Sequence, residues 1–137
     1  MTHDNVARHA TNLDLNKNMD ETKQLLDKIV EGIQERKGEK ITIIDMSQLE
    51  NYVCSYFVIG QGKTNTHVSA IADSIRDYVR ERIRIKPFAT DGYANAQWIA
   101  MDYGEVIVHV FQPEIRDFYK LESLWEDATI TQIQDLL

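Results

Sequence analysis

Cysteine is nearly absent from this 137-residue chain: Cys54 stands alone, so no disulfide can form within it and a reducing compartment suits it. Proline occurs twice and glycine six times, so breaks are few and each one is informative. No apolar run approaches the roughly 18 residues that cross a bilayer. The opening MTHDNVARHATNLDLNKN lacks both the apolar core of a signal peptide and the arginine bias of a transit peptide. A cytoplasmic location is therefore expected, without membrane contact. Basic residues are also scarce: 15 Lys and Arg against 22 Asp and Glu, a formal net charge of −7. Such a surface does not seek phosphate backbones, which disfavours direct nucleic-acid binding.

Motifs for chemistry are equally thin. Gly60-Gln61-Gly62-Lys63-Thr64 lies between a strand and a helix, as a phosphate loop would, but Phe57 stands where the full pattern needs its first glycine. The spacing favours a structural turn, with an anion on its amides as the alternative. His67 and His109 have no Cys or His at ligand spacing, so no metal site is expected. Cys54 has no oxyanion motif beside it and reads as a small buried residue. Asp45, Asp91 and Asp102 are too loosely spaced for a nucleotidyl-transfer metal set, and no Asp-x-Asp occurs on one strand.

What is present is regular alternation of strands and helices. Residues 1–18 are polar and aperiodic, expected as a flexible extension. Asp20 or Thr22 can cap a helix with Leu25, Leu26, Ile29, Val30 and Ile33 on one stripe, stopped at Lys37-Gly38. KITIID (40–45) and SYFVIG (55–60) read as interior strands. A helix over 65–82 follows, and the next strand should return beside the one before it. Pro87 places IRIKPFAT (83–90) at a sheet edge or bulge. Pro113 suits a helix start, with Ile115, Phe118, Leu121, Leu124 and Trp125 along one side to about Asp127. Residues 129–137 read as a short amphipathic tail. The class is α/β: a mixed sheet of about five strands, helices mainly on one face, in one domain over 19–128.

The central stretch is Gln97 to Phe111, QWIAMDYGEVIVHVF, a β-hairpin turning at Tyr103-Gly104. That loop sets Asp102 opposite Glu105, Ala100 opposite Ile107 and Trp98 opposite His109. Ile99, Met101, Val106, Val108 and Val110 share an apolar core face. The other face carries Trp98, Asp102, Glu105, Ile107 and His109, with Phe111 at its end. It reads either as a docking surface for a basic partner or as a strand pair covered by the protein's own helices. From Trp98 to Asp127 seven acids face two bases, so most of the net charge collects here. Arg116, Tyr119 and Glu122 recur at helical spacing beside the core stripe, either bordering this face or pairing within their helix.

Tyr56-Phe57-Val58-Ile59, Val68-Ser69-Ala70-Ile71-Ala72-Asp73, the run from Trp98 to Phe111, and Arg116-Asp117-Phe118-Tyr119-Lys120-Leu121-Glu122-Ser123-Leu124-Trp125 together resemble the ribosomal silencing factor family, also called Iojap-like. The resemblance covers residues 22–127. Ser55 stands where the family commonly has Asp, and Lys63-Thr64 where it often has a Thr/Ser run. It implies a nucleotidyltransferase-like fold without that class's catalytic motif, no enzymatic activity and no cofactor. It further implies binding to the large ribosomal subunit through ribosomal protein L-fourteen, which blocks joining of the small subunit when nutrients are scarce; homodimers occur in the family. On this reading Trp98 anchors the contact and Asp102 and Glu105 meet basic side chains. Tyr103, His109, Arg116, Tyr119 and Glu122 shape or brace the site. The rival from another class is a nucleotide-binding, nucleotidyltransferase-like enzyme using the Gly60–Thr64 turn.

Overall fold

Leu25, Ile29 and Ile33 recur at helical spacing, and all three are buried on the inner face of α1 (Asn12–Glu35) in the computed structural model, which describes residues 12–49 and 54–136. The helix starts eight residues ahead of Asp20, so residues 12–18 of the polar extension are helical, while residues 1–11 lie outside the described residues. At its end Lys37 takes a left-handed φ of 56°, and the Gly38 amide returns to the Ile33 carbonyl at 3.0 Å. A Cβ on Gly38 would lie 2.3 Å from the Ile33 side chain, so glycine is required here for close approach.

The remaining elements are β1 (Glu39–Asp45), β2 (Tyr56–Gln61), α2 (Asn65–Ile83), β3 (Ala89–Asp91), β4 (Trp98–Asp102), β5 (Val106–Phe111), α3 (Pro113–Tyr119), a 3₁₀ turn (Leu121–Trp125) and β6 (Thr129–Gln132). One sheet runs β3-β4-β5-β2-β1-β6; β2 and β5 are parallel and all other neighbours antiparallel. This is the expected mixed α/β sheet, with one strand more than anticipated. The addition comes from the segment read as a tail: Thr129–Gln132 pairs with Thr42–Asp45 and makes β1 interior.

The strand after α2 does not return beside β2. Ala89–Asp91 is fully exposed and takes the far edge, beyond Pro87. The place next to β2 goes to β5, whose VIVHVF is nearly all buried and suits a central strand covered on both faces. The hairpin β4–β5 therefore lies near one side of the sheet, as expected.

Its register differs from the expected one. Asp102 pairs with Ile107, Ala100 with His109 and Trp98 with Phe111, and the Tyr103 amide donates to the Val106 carbonyl at 2.9 Å. The two-residue loop is Gly104-Glu105. Gly104 has φ 88° and Glu105 is not left-handed, the pattern of a turn that needs glycine at its first position. Each pairing shifts by two residues in total, so the faces are preserved and only the partners change. Gly104→Ala should cost about 1–2 kcal/mol through backbone strain, read as a lower urea midpoint at an unchanged slope; an unchanged midpoint would refute the turn assignment.

The two faces carry separate cores. α1 and α2 cover Ile41, Val58, Ile99, Met101, Val106, Val108 and Val110. On the opposite face Ile44, Phe57, Ile59 and Phe111 meet Ile115, Leu121 and Trp125 from α3 and the 3₁₀ turn. The helix expected through Asp127 stops at Tyr119, because Lys120 turns left-handed (φ 47°, ψ 52°). The chain then rewinds as 3₁₀, and the single apolar stripe breaks. Ile115, Leu121 and Trp125 pack inward, whereas Phe118 is 79% and Leu124 70% exposed.

Candidate docking surface

Trp98 begins β4 on the face opposite α1 and α2. Its indole stacks on Phe111, directly across the ladder, at 4.9 Å between ring centroids. On its outer side lies Tyr119 of α3, at 5.0 Å, and Phe118 meets Tyr119 edge-on at 5.1 Å. Phe111 is fully buried, Trp98 half-buried and Tyr119 51% exposed. The rings thus form a ladder from the core to solvent. The indole is not sealed inside the molecule.

His109 supports the ladder from below. The Trp98 Nε1–H donates to His109 Nδ1 at 3.0 Å, so the neutral ring carries its proton on Nε2. Phe57 meets the imidazole edge-on at 4.8 Å. Burial lowers the His109 pKa from 6.5 to about 4, keeping the ring uncharged at neutral pH. This fits a stacking residue rather than a proton-transfer group.

Arg116 fixes α3 over the sheet. Its Nε donates to Glu122 Oε1 at 2.7 Å, Nη1 to the Lys40 carbonyl at 2.8 Å and to Gln61 Oε1 at 3.2 Å, and Nη2 to Thr42 Oγ1 at 3.0 Å. Thr42 and Gln61 are buried, and the Arg116 side chain is nearly so. Arg116 and Glu122 therefore make a tertiary clamp to β1 and β2, not surface pairing within the helix. The clamp holds the short helix that presents Phe118 and Tyr119.

Three other expected site residues fall elsewhere. Tyr103 belongs to the core beneath α1 and α2, because it pairs with Val106 on the helix-covered side of the ribbon. Asp102 and Glu105 sit at the hairpin tip, about 13 Å along the strand from Trp98 at 3.3 Å per residue. There Asp102 accepts from the Gly104 amide at 2.8 Å and Glu105 accepts from the Ser55 hydroxyl. The acid beside the indole is Asp91 instead. It pairs with Ala100 on β3 and therefore points to the same face as Trp98. With Thr90, Tyr93, Gln97, Ile115 and Tyr119 it borders a cleft of about 580 Å³ along Trp98. Little in the sequence pointed to either missed residue: Phe118 followed the apolar stripe of a longer expected helix, and Asp91 stood in the loop just past the expected edge strand.

The Gly60–Thr64 turn spends its amides internally. The Gly62 N–H goes to the Phe111 carbonyl, the Lys63 N–H to His67 Nδ1 and the His67 N–H to Thr64 Oγ1. His67 Nε2 in turn donates to the Arg36 carbonyl at 2.7 Å, tying α2 to the end of α1. Cys54 is buried, and burial pushes its thiol up to about 11, away from nucleophile chemistry. Among the described residues no three His, Cys, Asp or Glu side chains gather as a metal site, and no helix is long and apolar enough to cross a membrane.

Known proteins resemble this chain in sequence and in overall fold. The family described as ribosomal silencing factor during starvation, RsfS, matches residues 19–137. Ribosomal silencing factor RsfS of Bacillus subtilis is 34% identical over 112 residues, covering 81% of this chain and 92% of the relative. That of Halalkalibacterium halodurans is 31% identical, covering 83% and 96%. A crystal structure of a protein from Chromobacterium violaceum superposes with a TM-score of 0.71 at 28% identity, over 75% of this chain and 84% of the other. The chain thus belongs to the RsfS (Iojap-like) family of ribosomal silencing factors, regulators of translation rather than enzymes.

Proposed function

We propose that this protein binds the large ribosomal subunit through ribosomal protein L-fourteen and, by occupying that surface, keeps the small subunit from joining. Translation falls in consequence when nutrients are scarce. The protein works in the cytoplasm by steric exclusion and needs no cofactor. One observation carries this reading: the Trp98–Tyr119–Phe118 ladder, open to solvent and backed by a rigid sheet, within an acidic chain. Aromatic side chains anchored on a stiff support are the usual centres of binding energy, and negative charge speeds encounter with a basic surface.

The test is capture of purified L-fourteen protein and co-sedimentation with large subunits. Tyr119→Ala combined with Phe118→Ala should weaken both at least about tenfold while leaving the melting midpoint within a few degrees, because both side chains are largely exposed. Trp98→Ala should also abolish binding. It carries a folding cost of about 2 kcal/mol as well, since the indole packs on Phe111 and bonds His109. Undiminished capture by the folded double variant would refute this surface.

A further inference from the structure

The cleft beside Trp98 has two aromatic walls, Trp98 and Tyr119, and one charged lining group, the Asp91 carboxylate. Tyr93 borders it too, but its ring packs toward the helix-covered core and its hydroxyl donates to Asp73 at 3.1 Å. Among the described residues no lysine or arginine lines the cleft. Several surface aspartates are engaged, Asp73 and Asp77 with Arg76, Asp45 with Ser47 and Asp135 with the Lys40 amide; Asp91 is the one that faces an aromatic cleft. Asp91 has no side-chain hydrogen bond or ion pair among the described residues. It is the diagonal cross-strand neighbour of Trp98, about 7–8 Å away between backbones, a separation that leaves room for a flat group between carboxylate and indole.

The outer wall is built to stay in place. Gly92 has φ 100°, and a Cβ there would lie 2.0 Å from the Trp98 carbonyl oxygen, so only glycine lets the 92–96 turn close on β4. The Ala96 amide locks that turn to the Gly92 carbonyl at 2.9 Å. The inner wall is α3, held by the Arg116 clamp. A cleft with fixed walls, aromatic faces and a lone uncompensated carboxylate is complementary to a cation. The planar guanidinium stacks on rings and pairs with a carboxylate at once, whereas a lysine ammonium is a compact, strongly hydrated point charge.

We propose that this cleft is a socket for one arginine side chain of the bound ribosomal protein, its guanidinium lying against Trp98 and Tyr119 with Asp91 as counter-ion. The proposal rests on the large-subunit reading above and adds the residue that selects the partner. It moves the charge recognition from the hairpin tip to the edge strand.

Capture of purified L-fourteen by the full chain tests it. Asp91→Asn should weaken capture about tenfold, as loss of one charge-paired contact does, and Asp91→Lys should weaken it further. Asp91 is exposed on an edge strand, so both variants should melt with the wild type. Among Arg→Glu variants of the ribosomal protein, one should restore capture by Asp91→Lys. Wild-type capture by both Asp91 variants, while the Phe118/Tyr119 double variant fails, would overturn the socket and leave the large-subunit reading standing. Failure of every Arg→Glu variant to restore Asp91→Lys would overturn the assignment to arginine. Absence of capture by the wild-type chain would overturn both.

Discussion

Arg116→Ala should lower stability by about 3 kcal/mol, the low end of the cost of removing one partner from a buried ion pair, because Glu122 keeps 26% of its side-chain surface exposed. The guanidinium supplies four hydrogen bonds at once, to Glu122, the Lys40 carbonyl, Gln61 and Thr42. Its removal leaves the buried Gln61 and Thr42 oxygens short of a donor and strands the Glu122 carboxylate without its cation. For a chain of this size the melting midpoint should fall by roughly 10–20 °C. Arg116→Lys should recover only a small part, since an ammonium cannot reach four acceptors in a fork. Glu122→Gln should cost about 1 kcal/mol, because the amide oxygen still accepts from Nε. A midpoint within 3 °C of wild type for Arg116→Ala would show that α3 is held by Ile115 and Leu121 alone. Ribosome binding should fail in Arg116→Ala even below its melting point, because the helix presenting Tyr119 and Phe118 loses its fixed position.

Acid should loosen the same region before it titrates carboxylates. The folded pKa of His109 is depressed from 6.5 to about 4 by burial. The unfolded chain therefore takes up the proton first, and stability is whole above pH 6.5 and falls as pH drops through the window from 6.5 to 4. Its full extent is about 3 kcal/mol, of which about 2 kcal/mol is spent by pH 5. Protonated Nδ1 can no longer accept from Trp98, so charging the ring also releases the indole. Urea unfolding at pH 7.5 and pH 5.0 measures the drop, and His109→Phe should flatten it between those points. Among the described residues Glu31 is the only carboxylate whose pKa is distinctly lowered, and its contribution is lost below 4.5. An equally steep decline in His109→Phe would assign the effect to other groups.

Much of this molecule could be read from its residues. The stripe Leu25–Ile33, the strands KITIID and SYFVIG, the helix after Gly62 and the core face Ile99–Met101–Val106–Val108–Val110 all follow from periodicity, because burial on one face imposes a repeat of 3.6 or 2. The face of the hairpin was legible even though its register was not. Parity along a strand is a local property, whereas the pairing depends on which loop position Gly104 occupies. The strand TITQ could not be recognised locally, since every residue of it is exposed and only the open edge of β1 gives it a partner.

By itself the sequence determined the α/β class, one apolar and one mixed face on the central ribbon, and membership of a family through the run from Trp98 to Trp125. Those features depend on residue type and spacing alone. The tertiary structure decided which side chains share a site. It put Tyr103 in the core, left Asp102 and Glu105 at the distant tip, and brought Asp91, Trp98, Tyr119 and Phe118 together. That grouping arises from an edge strand, a hairpin and a seven-residue helix meeting in space. Their meeting is fixed by Gly92 and by the Arg116 clamp, contacts between residues far apart in the chain that no local pattern encodes.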